Sequence, residues 1–354
     1  MLGLTAARAA FSHPPAIHTA KRYEWRMASA VPGSLPGAGT NAVYLAKIIE
    51  TMSGGRIVIR FFGQDQLSPA FETLNLVAEG KAEIGYGSPY YWRKKHEAFS
   101  FCTNIPFGLN AHEFITWLQF GGGELLDELY AKYNLKPFPA GNTGSQMGGW
   151  YNREIASVRD YKGLKIRMPG LGGDILARAG AEIVNLPSNR ILHALQSGKI
   201  DAAEWVAPCD DLRLELYKAA SFYYWPGWHE PGALADCFVN KDAYASLPGD
   251  LQEIIRQASF AAYNHMWSEY SAKNGIALVE LVVRHQVKMK RFPDRVLMDM
   301  ARLSRDVMTE IANRNPLSKK IYDSYTAFGR KAIAWTQISE EAFSLARFLI
   351  FSYL

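Results

Sequence analysis

From Tyr23 to Gly87 the chain alternates short apolar runs with stretches of helical periodicity. YEWRMAS (23–29) reads as a strand, VPGSLPG (31–37) as a loop, and a helix is predicted near Thr40–Met52. The Gly54-Gly55 pair ends that helix, and RIVIRFF (56–62) is rich in the β-branched and aromatic residues that fit a pleated surface. A second helix over about Ala70–Glu79 stops at Gly80, and AEIGYG (82–87) reads as a buried strand. This βαβαβ rhythm predicts a mainly parallel sheet with helices on both faces.

The pattern then restarts. A helix over about Ala111–Tyr133 leads through KPFPAGN (136–142) and QMGGWYN (146–152) to the strand LKIRM (164–168). A helix at Gly173–Ala179, the segment AEIVNLP (181–187) and the helix ILHALQSG (191–198) follow, and the strand IDAAEWV (200–206) closes the series. ALADCFVN (233–240) reads as a late strand returning to the first domain, which makes the second domain an insertion. Two crossovers of that kind leave a cleft between domains, where ligand pockets favour strand ends. After Ser246 the chain turns almost wholly helical, with Ser246 as cap, Pro248 in the first turn and a break at NRNP (313–316).

The length of 354 residues allows two cores, and 48% hydrophobic with 21% charged residues is globular composition. A net charge of +5 with no basic run argues against a nucleic-acid partner, which would need a clustered basic face. Three cysteines, Cys102, Cys209 and Cys237, show no CxxC spacing and read as buried thiols rather than metal ligands. No apolar run reaches the roughly 18 residues of a membrane span. Residues 1–22 form a tail that lacks the basic start and long apolar stretch of an export signal.

Arg167 stands between Ile166 and Met168 in a strand of buried character, where a charge requires a partner. Its planar guanidinium matches a carboxylate in bidentate geometry, although an internal salt bridge or a surface position explains it as well. Glu204 and Trp205 end a strand whose alanines permit close approach; a solvated acid beside a core indole is the plainer reading. Tyr90, Tyr91 and Trp92 follow a Gly–Pro turn, either as hydrogen-bond donors or as an aromatic wall. Enzyme motifs are lacking: GLGGDI (170–175) has Ile175 where a dinucleotide loop needs glycine, and no GxxxxGK[ST], HExxH or GxSxG occurs. His229 and Glu230, adjacent on a presumed strand, would face opposite ways. A Glu204–Glu230 glycosidase dyad is the best catalytic alternative.

Taken in order, EWRMAS, LVAEGKAEIGYGSPYYW (76–92), IPFGLN (105–110), QMGGWYN, LKIRMPG, LQSGKIDAAEWV (195–206), PGWHEPG (226–232) and YASLPGDLQEII (244–255) resemble one family. The chain is similar to the periplasmic solute-binding subunits of TRAP (tripartite ATP-independent periplasmic) transporters of the DctP type, close to those binding 2-oxo or 2-hydroxy monocarboxylates. The resemblance implies an α/β two-domain periplasmic-binding-protein-like fold with a cleft and a long helical C-terminal region. Domain I would take 23–144 with about 233–270, domain II 145–232, and the helical region about 271–354. It further implies a non-enzymatic periplasmic receptor that delivers a pyruvate-like or lactate-like acid to membrane permease subunits. Arg167 would clamp the carboxylate, with Gln146, Tyr91 and Trp205 beside it. Gln146, Glu204, Trp205 through its backbone carbonyl, and Glu230 would hold a cation. Oxygen ligands of this kind suit Na⁺ or Ca²⁺.

The apolar positions Leu297, Met300, Ala301, Leu303, Val307, Met308 and Ile311, and beyond NRNP Ile321, Tyr322, Tyr325, Phe328, Ile333 and Trp335, line the terminal helices. Their number, together with the kinked, exchanged terminal helix of the resembled proteins, leads to the expectation of a homodimer with Pro316 at the kink, the alternative being that these helices pack back on their own two domains.

Overall fold

The computed structural model describes residues 21–351; the expectations about the N-terminal tail fall almost wholly outside them. Strand β1 (Tyr23–Ser29), helix α1 (Ala38–Met52), β2 (Ile57–Phe62), α2 (Thr73–Ala78) and β3 (Ile84–Gly87) form the opening βαβαβ unit. Helices α3 (Ala98–Thr103), α4 (Ala111–Trp117) and α5 (Gly123–Ala131) then lead into β4 (Leu135–Asn142). The single helix expected over Ala111–Tyr133 is broken by a π turn at Leu118–Gly122. Gly121 takes φ 138°, and a Cβ on Gly122 would sit 2.4 Å from the Trp117 indole, so the glycine run sets the break.

The next elements are β5 (Gly149–Tyr151), β6 (Lys165–Arg167), α6 (Gly170–Arg178), β7 (Glu182–Ile183), α7 (Ser188–Gln196), β8 (Ala202–Ala203), α8 (Pro208–Arg213) and β9 (Phe222–Trp225). Helix α6 thus starts three residues earlier than expected, after Pro169, and the strand over IDAAEWV is confined to two alanines. Then come β10 (Leu234–Asn240), α9 (Lys241–Ala245), α10 (Gly249–Val279), β11 (Lys288–Arg291), α11 (Asp294–Ala312), α12 (Pro316–Ile338) and α13 (Glu340–Phe351).

Two sheets result, with strand orders β2-β1-β3-β10-β4 and β11-β9-β5-β8-β6-β7. Neither is purely parallel: β10 runs antiparallel to both β3 and β4, and β5 antiparallel to β8 and β9. Strand β11, KMKR, pairs in parallel with β9 at the edge of the second sheet. Its polar sequence hid it in a region read as helical. Ser246 does not cap α10; it closes α9, its hydroxyl bonding the Ala243 carbonyl, while Pro248 precedes α10.

One core fills the space between the first sheet and helices α1 and α10, around Leu45, Ile49, Ile84, Val239 and Ile255. A second lies on one face of the other sheet, around Trp150, Ile191, Leu195 and Tyr223. A third runs from Phe99, Phe114 and Phe238 through Ile166 and Leu176 to α11 and α12. It absorbs most of the apolar side that sequence assigned to dimerisation: Met300, Val307, Met308, Ile311, Ile321 and Tyr325 are buried within the chain. Pro316 does not kink a helix either. It occupies the first turn of α12, where its missing N–H is unneeded, and Asn315 caps that helix by accepting from the Ser318 N–H. What stays exposed is Ile333, Trp335 and Ile338 of α12 and Phe343, Leu345, Phe348, Ile350 and Phe351 of α13. The architecture is a two-domain α/β fold with long C-terminal helices.

Candidate solute-binding site between the two sheets

Parallel pairing of β6 with β8 sets Arg167 opposite Ala203, so both strands end at the same level. The small side chains of Ala202 and Ala203 are fully buried, letting the backbones approach. Glu204 N–H donates to the Arg167 carbonyl at 2.9 Å, and Arg167 Nη1 returns a bond to the Glu204 carbonyl at 2.6 Å. Arg167 Nε donates to the Leu186 carbonyl at 3.3 Å. The Trp205 ring lies 4.7 Å from the guanidinium carbon, a cation–π distance. Backbone oxygens therefore hold Nε and Nη1, and the indole covers one face of the group. No described residue accepts a hydrogen bond from Nη2, so the edge that bears this nitrogen keeps free donors.

Glu204 is 1% exposed; its Oε2 lies 3.6 Å from Arg167 Nη1, while Oε1 has no hydrogen-bond partner. Burial pushes its carboxyl up to about 8, against the Arg167 charge acting downward. His229 Nε2 stands 3.4 Å from Oε1. His229 sits in a turn rather than on a strand, so the alternation argument against it does not apply. Burial drives its imidazole down to about 4. Glu230 is raised to about 7 by burial and then by the charge of Glu204.

Gln146 is positioned through its backbone, its N–H donating to the Glu230 carbonyl and its carbonyl accepting from Gly227 N–H. A Cβ at Gly227 would come within 2.4 Å of that carbonyl, so only glycine fits the turn. Gln146 Nε2 donates to Thr143 Oγ1 at 3.1 Å, which leaves Oε1 as a buried acceptor with no partner.

These groups surround a cavity of about 60 Å³ whose wall includes Tyr90, Tyr91, Gln146, Arg167, Trp205 and Glu230. Glu204 is not part of that wall; it stands behind Arg167. Tyr90 and Tyr91 come from a 3₁₀ turn, Pro89–Trp92, that follows β3, and burial raises both phenols while the Arg167 charge acts downward. Opposite them the wall is largely apolar, with Val31, Leu35, Ala233 and Met266.

Sequence reasoning preferred Tyr91 to Tyr90, set His229 aside, and missed Asp210. Asp210, in the first turn of α8, accepts from Tyr270 of α10 at 2.7 Å and also lines the cavity. The neighbouring Asp211 takes donors from Trp150 and Tyr223 and is structural. Adjacent acids in PCDDLR were the available signal, but only the fold separates their roles.

Two unpartnered acceptor oxygens, Gln146 Oε1 and Glu204 Oε1, and a Glu230 carboxyl raised by burial and by the charge of Glu204 fit a hard cation. Among the described residues no group of three or more His, Cys, Asp or Glu side chains is arranged to hold a metal. A cation here would therefore complete its shell from amide, backbone and solute oxygens.

A buried arginine with a free edge, in a small cavity between two α/β lobes, defines a receptor for a small anion. The model of the bacterial extracellular solute-binding protein family 7, DctP, matches residues 29–315, and the chain belongs to that family. It is a solute-binding protein of the TRAP transporter type. It is 42% identical over 317 residues, 89% of this chain and 86% of the relative, to a monocarboxylate 2-oxoacid-binding periplasmic protein of Nostoc sp.. A TRAP transporter solute binding protein from Bordetella bronchiseptica shares 34% identity at a TM-score of 0.90, covering 94% of this chain and 99% of that one. It is a mixed-occupancy dimer with calcium and picolinate in its occupied site. A TRAP periplasmic solute binding protein from Pseudoalteromonas atlantica, with bound sodium and pyruvate, shares 37% identity at a TM-score of 0.86, covering 91% and 98%.

Proposed function

We propose that this chain captures a small 2-oxo or 2-hydroxy monocarboxylate, pyruvate-like or lactate-like, together with Na⁺ or Ca²⁺. The observation that carries the reading is the free edge of Arg167 at a cavity of about 60 Å³, far below the several hundred Å³ of a drug-sized pocket. One charged clamp and apolar walls suit one carboxylate and a short tail. In this reading Tyr91 donates to the solute, Gln146 and Trp205 flank it, and the cation is held by Gln146, Glu204, Glu230 and the Trp205 carbonyl. The cation would offset the two acids, which otherwise repel an anion.

The two sheets serve as the centres of two lobes, 23–144 with about 233–270 and 145–232, the second sheet completed by β11 from the helical region, and the lobes close on the solute. The closed form is what membrane permease subunits in the periplasmic setting would recognise, and the chain itself does no chemistry. A Glu204–Glu230 glycosidase dyad is disfavoured because Glu204 does not line the cavity, so it would reach a solute only through the cation. Homodimerisation is supported by the exposed apolar side chains of α13 and by the dimeric Bordetella relative. Calorimetry with pyruvate, 2-oxobutyrate, lactate, succinate and a neutral sugar tests the assignment. The two monocarboxylate classes are expected to bind; binding of the sugar alone would overturn it.

A further inference from the structure

Arg93 and Asp174 form an ion pair between the two sides of the cleft. Arg93 directly follows the 3₁₀ turn that carries Tyr90 and Tyr91, and Asp174 lies on α6, which begins three residues after Arg167. Arg93 Nη2 stands 2.5 Å from Asp174 Oδ2, with side chains 29% and 36% exposed. The tyrosine turn is tied to the first lobe by Tyr90 N–H, which donates to Thr103 Oγ1 at 2.7 Å. Helix α6 is continuous with β6 in the second sheet. Two other ion pairs, Arg178 with Glu310 of α11 and Arg314, just beyond α11, with Glu97, involve the C-terminal helical region rather than crossing between the sheets' own segments. Alongside the Arg93 pair, the Tyr90 ring lies 3.9 Å from the Cβ position of Gly170. The two contacts flank one another, so any separation of the lobes that lifts the tyrosines from Arg167 also breaks the ion pair.

We infer that Arg93 and Asp174 are positioning residues for solute capture: their ion pair holds the Tyr90–Tyr91 turn over the Arg167 end of β6 and slows release of a bound acid. The inference rests on the solute-binding reading above, and it assigns these two residues no contact with the solute. Partial shielding makes the pair stronger than a fully solvated one, yet still sensitive to ionic strength.

The test compares Arg93→Ala, Asp174→Asn, the double variant, and the charge swap Arg93→Asp with Asp174→Arg. Pyruvate is the probe in stopped-flow, at fixed sodium and calcium, with ionic strength set by choline chloride. Each single variant is expected to raise koff about two- to fivefold, with kon and melting temperature nearly unchanged. The double variant should be no worse than either single, the charge swap should recover part of the loss, and the wild-type koff alone should rise with choline chloride. Small-angle scattering of the solute-free protein gives a readout independent of the ligand: Arg93→Ala should increase the radius of gyration and the swap should reverse it. Wild-type protein that ignores pyruvate contradicts the functional reading, whereas an unchanged radius of gyration contradicts the pair's role. Unchanged koff in both single variants, or additive losses in the double variant, overturns it as well.

Discussion

Arg167 and Glu204 hold each other at the matched ends of two parallel strands: Nη1 of the arginine is 2.6 Å from the Glu204 carbonyl and 3.6 Å from its Oε2. The arginine is thereby oriented by protein oxygens before any solute arrives, which lowers the ordering cost of binding. The 3.6 Å approach to Oε2 explains why the glutamate, although buried, is not left wholly uncompensated.

Replacing Arg167 by Lys keeps the charge but removes the planar fork. Binding of pyruvate should weaken by about 1.5–3 kcal/mol, the worth of a charge-assisted hydrogen bond, as read by calorimetry at constant ion concentration. A loss below threefold would mean that the solute does not use the free edge.

Glu230→Gln removes one of two interacting buried acids without changing shape. The ion-free variant should melt higher than wild type at pH 8, because the charge whose carboxyl is pushed up to about 7 is gone. Stabilisation by added Ca²⁺ or Na⁺ should fall at the same time. Differential scanning fluorimetry reads both effects, and retained ion stabilisation would exclude Glu230 as a ligand.

The ion-free protein should lose stability as pH rises from about 5 to 8.5. Glu204 and Asp210 are each raised to about 8, and Glu230 and Asp236 to about 7, all chiefly by burial. Each keeps in the folded state a proton that the unfolded chain releases near its ordinary carboxylate pKa. Their contribution is therefore full below about pH 4 and is lost as pH climbs through 7 to 8. Urea midpoints at pH 5.5, 7 and 8.5 in chelated buffer check the sign. Adding cation at pH 8.5 should restore part of the loss, since ligands bind metal deprotonated. A midpoint that rises with pH would contradict the burial account.

Ending the chain at Ser339 removes α13, in which no residue is buried. Its exposed Phe343, Leu345, Phe348, Ile350 and Phe351 should then no longer pair subunits. Light scattering is expected to show a dimer for the full chain and a monomer for the shortened one, with little change in intrinsic melting. A monomeric full chain at micromolar concentration refutes the dimer.

The strands and helices of the first lobe were legible because their apolar periods are clean, as in RIVIRFF and AEIGYG. Strand β11 was not, because an edge strand of Lys, Met, Lys and Arg carries no apolar signal. The apolar stripe of α11 was visible but ambiguous: a pattern states that a face is covered, and only the fold states that its own lobes cover it. Arg167 could be singled out because a charge among buried residues needs a reason, whereas the roles of Glu204 and Trp205 came from the resemblance. His229 was set aside and Asp210 passed over, since their significance lies in a ring nitrogen 3.4 Å from Glu204 and a carboxylate bonded by Tyr270, contacts between segments far apart in sequence.

The central claim, that Arg167 and a cation jointly hold a small monocarboxylate, is tested most directly by one calorimetric titration. Pyruvate is added to chelated protein, then to the same protein resupplied with Na⁺ or Ca²⁺, and the solute is assayed afterwards for turnover. The expected result is binding that strengthens at least tenfold with one of the ions and returns the pyruvate unchanged. Equal affinity with and without ions, or no binding in either, would contradict it.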